Sequence, residues 1–249
     1  MTKTKKLTAE GAASAIPAGN AFPTLDNQGN VTMVKTDIIP PPSLVDCILD
    51  GIFIMHHRKS DNFPLMVKPK RWASYQAYGE EADGVAIIEG GKILVIAPTE
   101  SSTGLVWSSA AVNGGATMAS NRKSAIADWN GETNTASIVS KSTSTIVTNT
   151  SSYAPGFCNQ YSNKGLSAGK WWLPSVAEMM LILANKEKIN YCLSLINGAT
   201  LIEDSVYWTS TECTAETAYA IYPADMCLAN WSKKISLSGR VRPVSAFIQ

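Results

Sequence analysis

Apolar residues gather most densely between Gly84 and Ala97, where two β-branched runs flank Glu89-Gly90-Gly91. The glycine pair supplies the positive φ that a tight turn needs, so this stretch predicts a hairpin. Upstream, Leu44, Val45, Ile48 and Leu49 suit one short amphipathic helix with Gly51 as its stop, and Ile52-Phe53-Ile54-Met55 reads as a strand. Pro64, Pro69 and Trp72 are assigned to a connecting loop. Downstream, residues 120–129 predict a short helix closed by Asn130-Gly131, and Thr133 to Ser140 a second. Ser142 to Ser152 is rich in Ser and Thr and reads as a surface loop. Ser175 and Glu178 stand in the capping-box relation, so a helix is expected from Val176, with Met179, Met180 and Leu183 at helical spacing. Another runs through Ile189, Cys192, Leu193 and Ile196 to Asn197-Gly198. The pattern then turns to strands at 206–210, 218–222, 234–237 and 239–247. A hairpin, then helices, then short strands indicate an α+β domain.

The first part of the chain follows no such pattern. Ala12 to Phe22 is small-residue and broken by Pro and Gly, too poor in apolar bulk for a core of its own. Asp26 to Asn30 is a turn cluster, and Val31 to Thr36 alternates like a strand that becomes ordered by pairing with a partner chain or second domain. Pro40-Pro41-Pro42 is a stiff spacer, because three fixed φ angles and three missing N–H groups exclude helix and central strand. The organisation expected is an anchoring and oligomerising arm with its Pro linker (1–42), a connecting subdomain (43–80) and a main domain (81–249).

Composition narrows the function. Hydrophobic residues make up 45% and charged residues 16% of the 249, which is globular rather than disordered. A formal net charge of +1 provides no long-range field, so no nucleic acid is expected as a partner. Lys3, Lys5 and Lys6, and Lys68, Lys70 and Arg71, are short enough to be solvated surface. Leu7 to Asn20 lacks the unbroken apolar core of an export signal, so export by that route is not expected, and no membrane span is expected either. Five cysteines (Cys47, Cys158, Cys192, Cys213, Cys227) show no CxxC spacing, against a zinc knuckle or dense disulfide framework. Buried free thiols are the better reading, with a Cys213–Cys227 bridge left open.

Catalytic patterns are sparse. The histidines, His56 and His57, are adjacent and project differently, which suits neither one metal nor one catalytic pair. No nucleophile elbow, phosphate loop or zinc-helix motif occurs, so neither catalysis nor a cofactor is expected. Asp128-Trp129-Asn130-Gly131-Glu132 carries oxygen ligands at alternate positions but lacks the rest of a calcium loop, and a helix junction is the plainer account.

Several segments, in order, resemble the C-type-lectin-like domains of bacterial and phage surface proteins. They are GVAIIEGGKILVIAP (84–98), Trp107-Ser108-Ser109, ADWNGETNTASIV (127–139), GKWWLPSVAEMMLI (169–182), INGA (196–199), YWTSTE (207–212) and GRVRPVSAF (239–247). That family includes the variable proteins of diversity-generating retroelements, adhesins and phage receptor-binding proteins. The resemblance implies a C-type-lectin-like fold with short helices and twisted antiparallel strands over residues 84–247. It makes Trp107, Trp172, Trp208 and Phe247 core anchors, Ser175 and Glu178 scaffold, and Arg240 and Arg242 pins of the last strand. It places the ligand surface between YWTSTE and VRPV, at Thr214, Glu216, Tyr219, Tyr222, Asp225, Met226, Asn230 and Trp231, residue types suited to adaptable contact. Tyr219 and Tyr222 face opposite ways on one strand, so part of this set is expected to be structural. The Glu-Pro-Asn or Gln-Pro-Asp loop of calcium-dependent sugar readers is missing, and no metal is expected. The function implied is non-enzymatic: a phage tail or head fibre component on the virion surface, binding a host cell-surface glycan or protein. Its arm would contact other virion proteins and favour a trimer. The alternatives are a bacterial cell-surface or pilus-associated adhesin and an architectural capsid or tail decoration.

Overall fold

The structure is a computed structural model and describes residues 21–25, 31–35, 50–114, 117–232 and 239–246, with backbone alone for 21–25, 31–35, 231 and 232. The chain divides into two units, Met1–Leu49 and Asp50–Gln249. In the first, β1 (Ala21–Leu25) and β2 (Val31–Lys35) form an antiparallel pair with Ala21 opposite Lys35. The alternating segment is thus paired with β1 inside its own unit. The expected helix through Leu44, the proline spacer, the strand at 234–237 and the core anchor Phe247 lie outside the described residues.

The second unit is α+β, and it begins at Asp50 rather than near residue 80. Its larger sheet is antiparallel with order β10-β6-β5-β3-β4, from β3 (Gly51–His57), β4 (Pro64–Val67), β5 (Gly84–Glu89), β6 (Lys92–Ile96) and β10 (Val244–Ser245). The separate connecting subdomain is corrected for a simple reason. Strand β3 pairs with β5, placing Ile54 opposite Val85 in the middle of the sheet. The prolines taken as loop punctuation instead start elements. Pro64 opens edge strand β4, and Pro69 occupies the first turn of helix α1 (Pro69–Ala77), where a missing N–H costs nothing. Helix α1 sends Trp72 into the core with no exposure at all.

The expected hairpin is β5–β6, turning through Gly90 and Gly91 at φ +56° and +76°. Both faces of β5 are covered. Val85 and Ile87 join the main core with Ile54 and Trp72, while Ala86 packs with Met55, Val95 and Trp171 on the other side. Short helices follow: α2 (Arg122–Ile126), α3 (Gly131–Ser140), α4 (Ala154–Gln160), α5 (Val176–Ala184) and α6 (Lys186–Ser194). Helix α4 was not expected, and it too has a proline in its first turn. Helix α5 starts where the capping box places it. Ser175 Oγ accepts from the Glu178 N–H at 3.5 Å, and the Glu178 carboxylate accepts from the Ser175 N–H at 2.8 Å.

A second antiparallel sheet has order β7-β8-β9, from β7 (Tyr207–Glu212), β8 (Thr217–Tyr222) and β9 (Cys227–Ser232). Between the sheets runs an extended segment whose consecutive residues enter three different clusters. Trp171 packs behind β5, Trp172 joins the main core, and Leu173 joins Trp107, Trp208 and Val241. Trp172 also exchanges backbone hydrogen bonds with Val244, at 2.8 and 3.0 Å. Among the described residues no helix is long and apolar enough to cross a membrane.

Candidate functional site

The β7–β9 region carries the expected binding residues and separates them. Thr214 and Glu216 are exposed in the β7–β8 turn. Thr214 Oγ1 accepts from the N–H groups of Glu216 and Thr217, at 3.2 and 3.1 Å, and its hydroxyl donates to Glu216 Oε2 at 3.1 Å. Asp225 is exposed in the β8–β9 turn and accepts from the Cys227 N–H at 2.9 Å, while Met226 takes the left-handed conformation (φ +55°) and packs half-buried against the main core. Tyr222 and Asn230 are exposed. Trp231 pairs through its backbone with Ala218. Tyr219 is a correction: it is 4% exposed, and its hydroxyl donates to the Ala119 carbonyl at 3.0 Å. Strand β8 lies in the middle of its sheet and is covered on both sides, with Ala218 and Ala220 in one cluster and Tyr219 and Ile221 in the other. Cys158 and Cys192 are buried free thiols as expected, whereas Cys213 and Cys227 are free but respectively half-buried and exposed, on the strands and turns at the sheet's edge.

Much of the polar chemistry in the resembling motifs is spent on holding loops. All six residues of YWTSTE are buried. The Tyr207 hydroxyl donates to Glu100 Oε2 at 2.8 Å, and the Trp208 Nε1–H to the Leu105 carbonyl at 2.8 Å. Thr209 Oγ1 donates to the Tyr219 carbonyl (2.8 Å), and Glu212 accepts from the Gly114 N–H (2.9 Å). Thr211 Oγ1 donates to Asp128 Oδ2 at 2.6 Å while accepting from the Val176 N–H at 3.0 Å, so it joins the start of α5 to the loop before α3. Asp128 is itself 3% exposed and also accepts from the Asn130 N–H and Asn134 Nδ2. This is the helix junction, and among the described residues no cluster of three or more His, Cys, Asp or Glu could hold a metal ion. Arg242, at 1% exposure, donates to the carbonyls of Ala97, Pro98, Thr200 and Leu201 and to Glu100. Arg240 donates to the carbonyls of Ser101 and Ser102 and to Glu203.

The two histidines turn to different carboxylates. His56 Nδ1 lies 3.2 Å from Glu80, and His57 Nδ1 2.6 Å from Asp83, whose carboxyl burial pushes above the usual carboxylate range. His57 lines a cavity of about 220 Å³ with Ser167 and Lys170. Asp83 and His57 are an orienting pair, but among the described residues no hydroxyl or thiol is hydrogen-bonded to the outer ring nitrogen.

A second cavity, of about 240 Å³, opens beside the β5–β6 hairpin, and sequence reasoning missed it. Glu178 and Trp172 form its floor, and Lys92, Trp129 and Glu132 stand at its mouth. Glu178 is 6% exposed, and its Oε2 alone takes both bonds, from the Ser175 N–H and from Trp172 Nε1–H at 3.2 Å. Burial pushes its carboxyl up to about 7, against the lowering effect of those donors. Trp129 is 40% exposed, with the Lys92 ammonium 5.7 Å from its ring centroid. The one signal in the sequence was a tryptophan placed among Asp, Asn and Gly in the stretch first read for calcium.

The chain matches no protein-family profile and no curated protein. Among solved structures it is similar to a fimbrial protein from Bacteroides ovatus, at TM-score 0.44 and 14% identity over 93% of this chain. The chain spans 49% of that protein's length.

Proposed function

We propose that the protein is a non-enzymatic recognition module of a cell-surface adhesin, with a C-type-lectin-like domain that binds through the turns of its β7–β9 sheet. The observation that carries this reading is the split in its polar side chains. Those of Tyr207, Trp208, Thr209, Thr211, Glu212 and Arg242 are buried and hold scaffold bonds, whereas Thr214, Glu216, Tyr222, Asp225 and Asn230 stand exposed on the turns and edge of one sheet. A stiff frame carrying exposed Tyr, Asn and carboxylates binds with little ordering cost, which is how paratope-like loops work. The order of motifs from WWLPS to RVRPV supports the domain assignment. Neither the fold nor the comparisons supports the virion-fibre expectation, and the adhesin form requires only this displayed face. The ligand is a cell-surface glycan or protein, held without metal.

The test is adhesion of the labelled full chain to a panel of bacterial and host cells, with and without chelator. The expected result is strain-selective, chelator-resistant binding. Combining Tyr222→Ala, Glu216→Ala and Asn230→Ala should abolish it, with the unfolding temperature unchanged. Undiminished adhesion by that variant would remove the sheet turns from the binding face.

A further inference from the structure

We infer that the cavity between the β5–β6 hairpin and the α2–α3 junction is a second, separate ligand site, and that it receives one neutral sugar ring, stacked on Trp129 with a hydroxyl on Glu178.

Glu178 leaves one of its oxygens unused. Glu178 is buried as a helix-capping residue, yet both of its accepted bonds fall on Oε2. Oε1 makes no hydrogen bond, and Glu178 lines the cavity. A scaffold carboxylate needs only the capped oxygen, so Oε1 is left over as a hydrogen-bonding position for a polar group that enters the cavity. Above it, Trp129 exposes 40% of its surface although large aromatic rings normally gain by burial. Asn130 and Thr133 also line the opening, and the side chains of both are exposed.

Charge and size select the ligand class. An anion would approach Glu178 and Glu132, and a cation would meet Lys92 already placed against Trp129. A neutral polyol escapes both penalties. Its C–H face packs on an indole, and its hydroxyls pair with a carboxyl in either protonation state, accepting from the acid or donating to the carboxylate. The cavity, at about 240 Å³, is smaller than the ~300–1,000 Å³ typical of sites for drug-sized ligands, which suits one ring rather than a chain.

This site does not depend on the β7–β9 face, and its test is chosen to keep the two apart. The full chain is titrated with methyl glycosides of glucose, galactose, mannose, N-acetylglucosamine and fucose, followed by calorimetry and tryptophan fluorescence. The expected result is saturable, millimolar binding of at least one glycoside with a change in indole emission. Trp129→Ala should weaken it about tenfold or more, while the Tyr222, Glu216 and Asn230 substitutions leave it intact. Trp129 is half out in solvent, so its removal should leave thermal unfolding cooperative. Thr133→Arg, which fills the opening from an exposed helical position, is a second variant and should also block the sugar. Absence of binding by every glycoside would overturn the assignment, and so would binding that survives both Trp129→Ala and Thr133→Arg.

Discussion

At the residue scale, Glu178 couples the stability of the fold to pH. Its carboxyl is raised from about 4.5 in the free residue to about 7 by burial, so the folded state holds a proton that the unfolded state has released. The stabilisation is therefore complete below about pH 4.5 and lost as pH rises through about 7. That interval corresponds to about 3 kcal/mol. Glu178→Gln keeps an oxygen for the Ser175 and Trp172 donors and removes the titration. Denaturant unfolding of both proteins from pH 4 to pH 8 should show wild type losing stability relative to the variant across this window. Parallel curves would mean that the buried carboxyl does not titrate there. Gly131 is tied to the same group. A Cβ at that position would overlap Glu178 Oε2 and press on the Trp172 ring, so Gly131→Ala should cost at least about 2 kcal/mol, read as a fall in denaturation midpoint. The capping box was legible because it depends on two residues three apart. The crowding around Oε2 was not, because Trp172 and Gly131 reach it from outside the helix.

At the element scale, strong local patterns were legible and borrowed ones were not. The β5–β6 hairpin needs only its glycine pair and branched runs, and α5 only its cap and apolar spacing. Helices α1 and α4 escaped because each has a proline in its first turn, a residue that reads equally as loop. The arm's β2 was recognisable as a strand, but its partner β1 was hidden in a small-residue stretch. Strand β7 shows the deeper difficulty. YWTSTE reads as a strand, yet both of its faces are covered, and the hydroxyls of Tyr207 and Thr211 serve groups distant in sequence. Thr211 makes this testable. Thr211→Val keeps the volume while removing both the donor to Asp128 and the acceptor for the Val176 N–H. The expected loss is about 2–3 kcal/mol, since two buried groups are left short. In a double-mutant cycle with Asp128→Asn the two changes should couple rather than add.

At the scale of the whole molecule, one guanidinium gathers what the strands leave apart. Arg242 sits two residues before β10 and reaches the carbonyls closing β6, at Ala97 and Pro98, and those that follow α6, at Thr200 and Leu201. It also pairs with Glu100 at 2.8 Å, and Glu100 accepts the Tyr207 hydroxyl at the head of β7. The chain end, both sheets and the long loop after β6 thus meet at one buried charge. The RVRPV motif hinted at a pin but not at its targets, because carbonyl acceptors carry no side-chain signature. An ammonium cannot replace this arrangement, since its three donors on a flexible stem cannot serve five acceptors reached by a planar fork. Arg242→Lys should therefore destabilise the fold even though the charge is kept. Arg242→Ala should do so by about 3–5 kcal/mol, because four carbonyls lose their buried donor and Glu100 keeps only the Tyr207 hydroxyl and Arg240 at 3.7 Å. Amide hydrogen exchange separates a local pin from a global one. If Arg242 joins the sheets, protection in Arg242→Lys should fall together along β6, β7 and the 199–203 loop. Loosening confined to that loop would reduce it to a local clasp, and the rigidity on which the β7–β9 face relies would then have to come from the packing of Trp107, Trp172 and Trp208.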